Sequence, residues 1–278
     1  MKVQKSTREL QDFEPEKLLR SLQQAGATEE LAKDILWEME RTLFEGISTR
    51  KIYRRAFQML KKRSKPMAAR YQLGKAIMDM GPSGYPFEQY VGELFKAEGY
   101  KVQVGVILQG KCVAHEVDVL AEKPGERHFV ECKFHGSRNF KINVQIPLYV
   151  NARFHDLAAA WRKEAEMEGV KFFGWLFTNT KFTADAAQYG VCSGLKLCGW
   201  HFPKNNSLEE WVERASLHPV SCLTTLTRAE KQILLEQRVV LVRELCKFPD
   251  RLNLLNITVP RRENILKEAK MLCKKDGV

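Results

Sequence analysis

Residues 115–134 read HEVDVLAEKPGERHFVECKF. Two runs of alternating apolar and polar residues flank Lys123-Pro-Gly-Glu126, a turn signal. Side chains alternate across a strand, so Glu131 and Lys133 share one face while Val130, Cys132 and Phe134 share the other. A charged pair interleaved with three apolar residues marks a strand with one buried and one ionised face. Asp118, flanked by Val117 and Val119, lies on the preceding strand, and the short turn lets it stand beside Glu131.

Two neighbouring carboxylates raise each other's pKa unless a cation lies between them. Oxygen donors of this kind suit Mg2+ or Mn2+, which makes Asp118 and Glu131 the candidate metal ligands. A metal there would bind a scissile phosphate and activate a water. Lys133 would either stabilise charge developing on the phosphate or position that water. The plainer interpretation is a surface ion pair on a β-hairpin. The short D…ExK string is common; the order of the elements around it carries more weight.

Working outward, the spacing predicts a helix over 87–98, strands over 102–108, 112–120 and 128–134, and a long helix over 144–166. A strand over 171–177, a short helix over 183–189 and a strand over 195–200 follow. This α-β-β-β-α-β-α-β order predicts an α/β fold with a central mixed sheet flanked by helices. Upstream, GPSGYP at 81–86 cannot continue a helix and marks a boundary. Before it, residues 2–13 read as a β-ribbon with a turn near Ser6–Arg8. Helices then start at Pro15, at Thr28 (ending at Gly46), at Ser48 and at Pro66 (ending about Met80). Downstream, a helix runs from Thr227 to about Leu245, and another from Pro260 to Cys273. The expected domains are 1–80, 86–220 and 221–278.

The net charge of +11 is unevenly spread: +6 over 1–80, zero over 81–220 and +5 over 221–278. Basic flanks around a neutral middle attract a polyanion by counterion release, and otherwise serve only solubility. No apolar run approaches the roughly 20 residues of a membrane-spanning helix, and MKVQKSTREL lacks a signal-peptide core. Seven irregularly spaced cysteines suit reduced thiols. The expectation is a soluble, cytoplasmic protein. Cys192, Cys198 and His201 make no closed four-ligand zinc pattern, and no phosphate-binding loop of the GxxxxGK[ST] type is present.

The stretches PFEQYVGELFKAEGYKV (86–102), HEVDVL, HFVECKF and VQIPLYV (144–150) resemble the catalytic domain of Mrr-type restriction endonucleases, within the PD-(D/E)xK superfamily. The resemblance implies a site of Glu88, Asp118, Glu131, Lys133 and Gln145, with Gln145-x-x-x-Tyr149 matching the family's QxxxY element. Glu88 would be a further acid near the metal or only a charge at a helix start. Glu116-Val117 stands where the family often has Gly-Ile, leaving Glu116 as an extra, solvated acid. The implied activity is metal-dependent hydrolysis of DNA phosphodiesters, in restriction (type II or IV) or defence against foreign DNA, by a homodimer or higher homo-oligomer. Two other readings stay open: a repair or junction-resolving nuclease of the same fold, and a non-catalytic DNA- or nucleotide-binding protein with a relict nuclease fold.

Val3-Gln-Lys5, Phe13-Glu-Pro-Glu-Lys17-Leu18, Ser21 and Ala69-Arg70-Tyr71 resemble the ATP-cone, a nucleotide-binding regulatory module. That resemblance implies ATP or dATP as ligand, with Lys5, Lys17 and Arg70 meeting phosphates. The family's Lys-Arg-Asp-Gly turn is replaced by Lys5-Ser-Thr-Arg8, so a degenerate cone that binds DNA or dimerises stays open. The tail, LTTLTRAEKQILLEQRVVLVREL (223–245) and NITVPRRENILKEAKMLC (256–273), fits proteins pairing these two modules. In it Arg261, Arg262, Lys267 and Lys270 either contact phosphates or form a solvated helix face.

Overall fold

The computed structural model describes residues 1–5, 8–164 and 168–273. The chain opens with a small antiparallel ribbon, β1 (Lys2–Gln4) and β2 (Leu10–Asp12). Four helices follow: α1 (Pro15–Gln24), α2 (Glu29–Glu40), α3 (Thr49–Arg63) and α4 (Lys65–Tyr71). Pro15 opens α1, where its missing N–H is no loss. Thr28, Ser48 and Ser64 cap the other three, each accepting the N–H three residues on. Such a cap contributes about 1 kcal/mol, enough to set where a marginal helix starts. Leu18, Leu22, Ile35, Met39, Ile52, Ala56 and Leu60 point inward with Val3 of the ribbon to form one core.

Two expectations fail here. The helix expected to end at Gly46 stops at Glu40, and Gly46 sits in the following loop with φ +79, donating its N–H to Lys2 O at 2.9 Å. The glycine signal belongs to that left-handed turn and not to a helix terminus. The helix expected over 66–80 breaks at Gln72 and resumes as α5 (Leu73–Met78). The buried Gln72 side chain donates to Cys222 O at 2.7 Å, a contact reached only by turning out of the helix.

The second body starts with α6 (Tyr85–Ala97), β3 (Lys101–Gln109), β4 (Ala114–Lys123) and β5 (Glu126–Lys133). β6 (Lys141–Ile142), α7 (Gln145–Trp161), β7 (Lys171–Thr178), β8 (Lys181–Phe182), α8 (Ala184–Ser193) and β9 (Lys196–Cys198) follow. The main sheet has the order β3-β4-β5-β7-β9; β3, β4 and β5 are antiparallel neighbours, while β5, β7 and β9 run parallel. The mixed α/β sheet read from the sequence is therefore present. β6 and β8 form a short parallel pair of their own, which two-residue strands do not signal in advance. Helix α7 ends at Trp161, short of the expected residue 166; residues 165–167 lie outside the described residues.

Helix α9 (Leu208–Ala215) and the tail helices α10 (Arg228–Glu236), α11 (Val242–Lys247) and α12 (Val259–Cys273) complete the chain. The single helix expected over 227–245 is interrupted at 237–241. Arg238 takes φ +61, and the extended run Val239-Val240-Leu241 is buried against residues 219–220, with Val220 N donating to Val240 O. β-Branched residues favour that extended pairing over helix. One face of the sheet packs on α7 through Val150, Leu157 and Trp161. The other packs on α6, and its core runs on without interruption through Leu73 and Ile77 of α5 and Met80 just beyond it, and into the tail, to Ile265 and Leu272. The core thus continues from one side of residues 81–86 to the other, and the tail buries its apolar faces against the sheet domain.

Candidate active site

On β5, Val130 and Cys132 enter the core beneath α6, and Phe134 packs on Phe87 with ring centroids 5.8 Å apart. Alternation sends Glu131 and Lys133 the other way. Glu131 is only 3% exposed, so its charge must be paired to persist there. Lys133 Nζ lies 2.6 Å from Glu131 Oε1, and the Arg153 guanidinium of α7 binds Oε2. Arg153 also donates to Glu116 O and lies over the Tyr149 and Phe129 rings, at 5.4 and 5.6 Å.

β4 and β5 pair from Lys123↔Glu126 to Val119↔Val130, and the next step in that register is Asp118 opposite Glu131. The ladder stops there. Cys132 N instead donates to Asp118 Oδ2 at 2.7 Å, so a carboxylate takes the place of a strand carbonyl. Across β4, the register Val104↔Val119 and Val106↔Val117 puts Gly105 beside Asp118. Gly105 has φ +65, a conformation that glycine adopts without strain. At that point the strands exchange faces: Val104 and Val119 join the α6 side, whereas Val106 and Val117 join the α7 side. Asp118 sits at the crossing, its carboxyl in the gap between β4 and β5.

Burial pushes the Asp118 carboxyl up to about 7; the Glu131 charge adds to this, the Cys132 N–H opposes it, and Glu88 adds further. Glu88, in the first turn of α6, is also raised, by burial and then by Glu116 and Glu131. For Lys133 burial works against the ammonium, yet the hydrogen bond and charge of Glu131 outweigh it and raise the pKa. The cluster is thus three mutually repelling acids with Lys133 and Arg153 set against them.

Asp118, Glu131, Lys133 and Glu88 are brought together. Gln145 is exposed at the start of α7, its N–H bonded to Asn143 Oδ1 at 3.1 Å, on the face that carries Tyr149 and then Arg153. Glu116 is exposed, as expected; its carbonyl accepts from Arg153, and its charge acts on Glu88. Arg153 was not singled out from sequence; its position eight residues beyond Gln145, on the same helix face, is the signal that finds it.

The three basic residues assigned to nucleotide do not converge. Lys17, paired with Glu14 at 2.6 Å, lines a 190 Å³ cavity between the ribbon and α1 and α3. Arg70 lines a neighbouring 450 Å³ cavity against α9. Lys5 lies 3.9 Å from Glu9 and lines neither. The arginines expected on phosphates are also engaged: Arg261 pairs with Glu230 at 2.8 Å and Arg262 with Asp250 at 2.9 Å. Among the described residues, no helix is long and apolar enough to cross a membrane.

A family model described as restriction endonuclease, Mrr_cat, matches residues 81–198, and one described as AF1548-like, C-terminal, matches residues 218–273. The ATP-cone resemblance has no such match. An uncharacterized protein of Archaeoglobus fulgidus is 36% identical over 144 residues, spanning 52% of this chain and 75% of that protein. A crystal structure titled as that of a protein of unknown function, AF1548, is 30% identical and superposes with a TM-score of 0.55, covering 68% of this chain and 98% of the other. The site lies within the restriction-endonuclease segment, and the chain belongs to the family of these AF1548-like proteins.

Proposed function

We propose that this chain is a divalent-metal-dependent DNA endonuclease whose working groups are Asp118, Glu131 and Lys133. The observation that carries the reading is the meeting of two carboxyls and an ammonium where β4 and β5 part. No group of three or more His, Cys, Asp or Glu side chains suited to a metal is gathered among the described residues. The protein donors would be Asp118 and Glu131, an acidic oxygen pair of the kind that suits Mg2+ or Mn2+ retaining several waters. The high pKa of Asp118 supports this: the acids crowd one another in a way that a cation between them would relieve.

Bound there, a divalent cation supplies Lewis-acid activation of phosphate and water. Asp118 and Glu131 would hold it. Arg153 would either share Glu131 Oε2 with the cation or release it, and a released guanidinium would be available to a phosphate. Lys133 stays charged and donates to the attacking water or the phosphoryl oxygens. Gln145 orients the substrate from α7, and Glu88 keeps the site acidic.

The finer parts of the reading are restriction or defence as the setting, a homodimer that brings two sites to a duplex, and ATP or dATP acting through residues 1–80 with Lys5, Lys17 and Arg70. The saturation of Glu131 by two cations favours one other reading, a non-catalytic DNA binder. Supercoiled plasmid, methylated and unmethylated, incubated with Mg2+ and with Mn2+ beside a Lys133→Ala control separates the two. Nicking by wild type alone supports the nuclease; no cleavage of any DNA supports the binder. Calorimetry with ATP and dATP tests the N-terminal ligand, and no heat from either removes it.

A further inference from the structure

Besides the acidic cluster, the carboxyl end of the sheet holds a separate 290 Å³ cavity. Arg138 and Asn139 reach it from the loop after β5, Lys181 from the start of β8, and Trp200 and His201 from the segment after β9; Gly74 of α5 closes one side. β5, β7 and β9 run parallel, so their carboxyl ends open together. In open α/β sheets this is the edge where loops diverge and ligands bind.

The chemistry of the lining is one-sided. Arg138 and Lys181 are cationic, His201 adds an imidazole, and among the described residues no carboxylate lines the cavity; Glu209 pairs with His201 at 3.0 Å from outside the lining. Trp200 provides an aromatic wall. It is held in place by Gly74, where a Cβ would meet the indole at 3.1 Å.

The cavity is also preformed. Asn179 clamps the loop after β5, accepting from His135 N at 2.9 Å and donating to His135 O at 2.8 Å. His135 stacks on Phe140 with centroids 3.7 Å apart. Burial pushes the Tyr53 hydroxyl of α3 up to about 12 and the Arg138 charge opposes that rise, so the same loop lies near the N-terminal helices. The volume lies near the lower end of small-molecule sites, about 300 Å³. Inorganic phosphate alone would leave the indole wall unused.

We propose that this cavity binds a phosphorylated nucleoside, with its phosphate on Arg138 and Lys181 and its base against Trp200. Guanidinium and ammonium groups make charge-assisted bonds to phosphate, and an aromatic wall accepts any base. The nucleoside is either a free nucleotide or one residue of a DNA strand lying across the sheet edge. Only the DNA source rests on the nuclease reading.

The test uses full-length protein carrying Lys133→Ala, so that binding is read without cleavage. Calorimetry with dAMP, ATP and tripolyphosphate forms one arm, and anisotropy of labelled single-stranded and duplex DNA the other. Arg138→Glu with Lys181→Glu should weaken binding at least tenfold in the arm that holds the true source. The exposed pair Lys62→Glu with Lys101→Glu, the same change in net charge, should weaken it less than threefold. Trp200→Leu should weaken nucleotide but not tripolyphosphate. Because Arg138 and Lys181 are exposed, their reversal leaves the core intact, and the test stands even if Trp200→Leu fails to fold. The proposal is overturned if wild type binds in neither arm, or if the cavity variant loses no more than its control.

Discussion

Arg153 of α7 and Glu131 of β5 form a buried ion pair, with side chains 12% and 4% exposed. Lys133 holds the other Glu131 oxygen, so each oxygen of this buried carboxylate meets a cationic side chain. Removing one partner of a buried pair leaves an uncompensated charge and costs about 3 kcal/mol. Arg153→Met should lower unfolding free energy by about that much in urea titration. Mg2+ should restore more stability to the variant than to wild type, because the freed oxygen becomes a ligand. Equal Mg2+ responses would mean that Glu131 does not ligate.

Lys133→Ala should leave DNA affinity within threefold and slow cleavage by about 10²–10³, the range for loss of one donor to developing charge. Single-turnover nicking rates with matched binding curves check this. A Lys133→Ala protein that cuts at the wild-type rate would exclude the ammonium from the chemistry.

His128 makes stability depend on pH. It is 2% exposed, and Trp175 Nε1 donates to its Nδ1 at 2.8 Å, which requires that nitrogen to keep its lone pair. Burial lowers its pKa from 6.5 to about 4 against the opposing bond to Glu126. In the unfolded chain the ring protonates near 6.5, so unfolding takes up a proton between pH 6.5 and 4. The contribution of His128 to stability should therefore fall as pH drops through that window, by on the order of 3 kcal/mol, while Asp118, raised to about 7, takes up its proton in the folded chain and contributes with the opposite sign. Glu126, held near 2 by Tyr100 and then His128, titrates below it. In urea unfolding at pH 7.5 and 5, wild type should lose about 2 kcal/mol relative to His128→Gln, a difference in which the Asp118 contribution cancels; an equal pH response in both proteins would place the titration elsewhere.

Gly110 turns the β3–β4 hairpin against α7. A Cβ there would lie 2.1 Å from Asp156 Oδ2 and 2.7 Å from Val113 O. Asp156 cannot step aside, because it accepts from Cys112 N at 2.9 Å and meets His115 Nε2 at 2.8 Å. Gly110→Ala should cost about 1–3 kcal/mol by overpacking and lower the melting temperature. An unchanged melting temperature would mean that the hairpin is looser than this geometry.

Local signals located most of the elements. Thr28, Ser48 and Thr227 begin helices where capping residues predict, and apolar alternation located β3, β4 and β5. Where a side chain bonds to a distant part of the chain, those signals failed. Gln72 leaves its helix for Cys222, 150 residues on. Val240 and Leu241 stay extended because residues 219–220 pair with them.

For the candidate site, the sequence by itself determined that Glu131 and Lys133 share a strand face and that Asp118 stands on the adjoining strand, since alternation and a short turn are local properties. Tertiary structure alone decided that Arg153 would close on Glu131, that Gly105 would turn β3 and β4 over beside Asp118, and that the sheet edge would hold a cavity lined by Arg138, Lys181 and Trp200. Each of these depends on which segments the shared core brings side by side, and neither periodicity nor spacing along the chain records that.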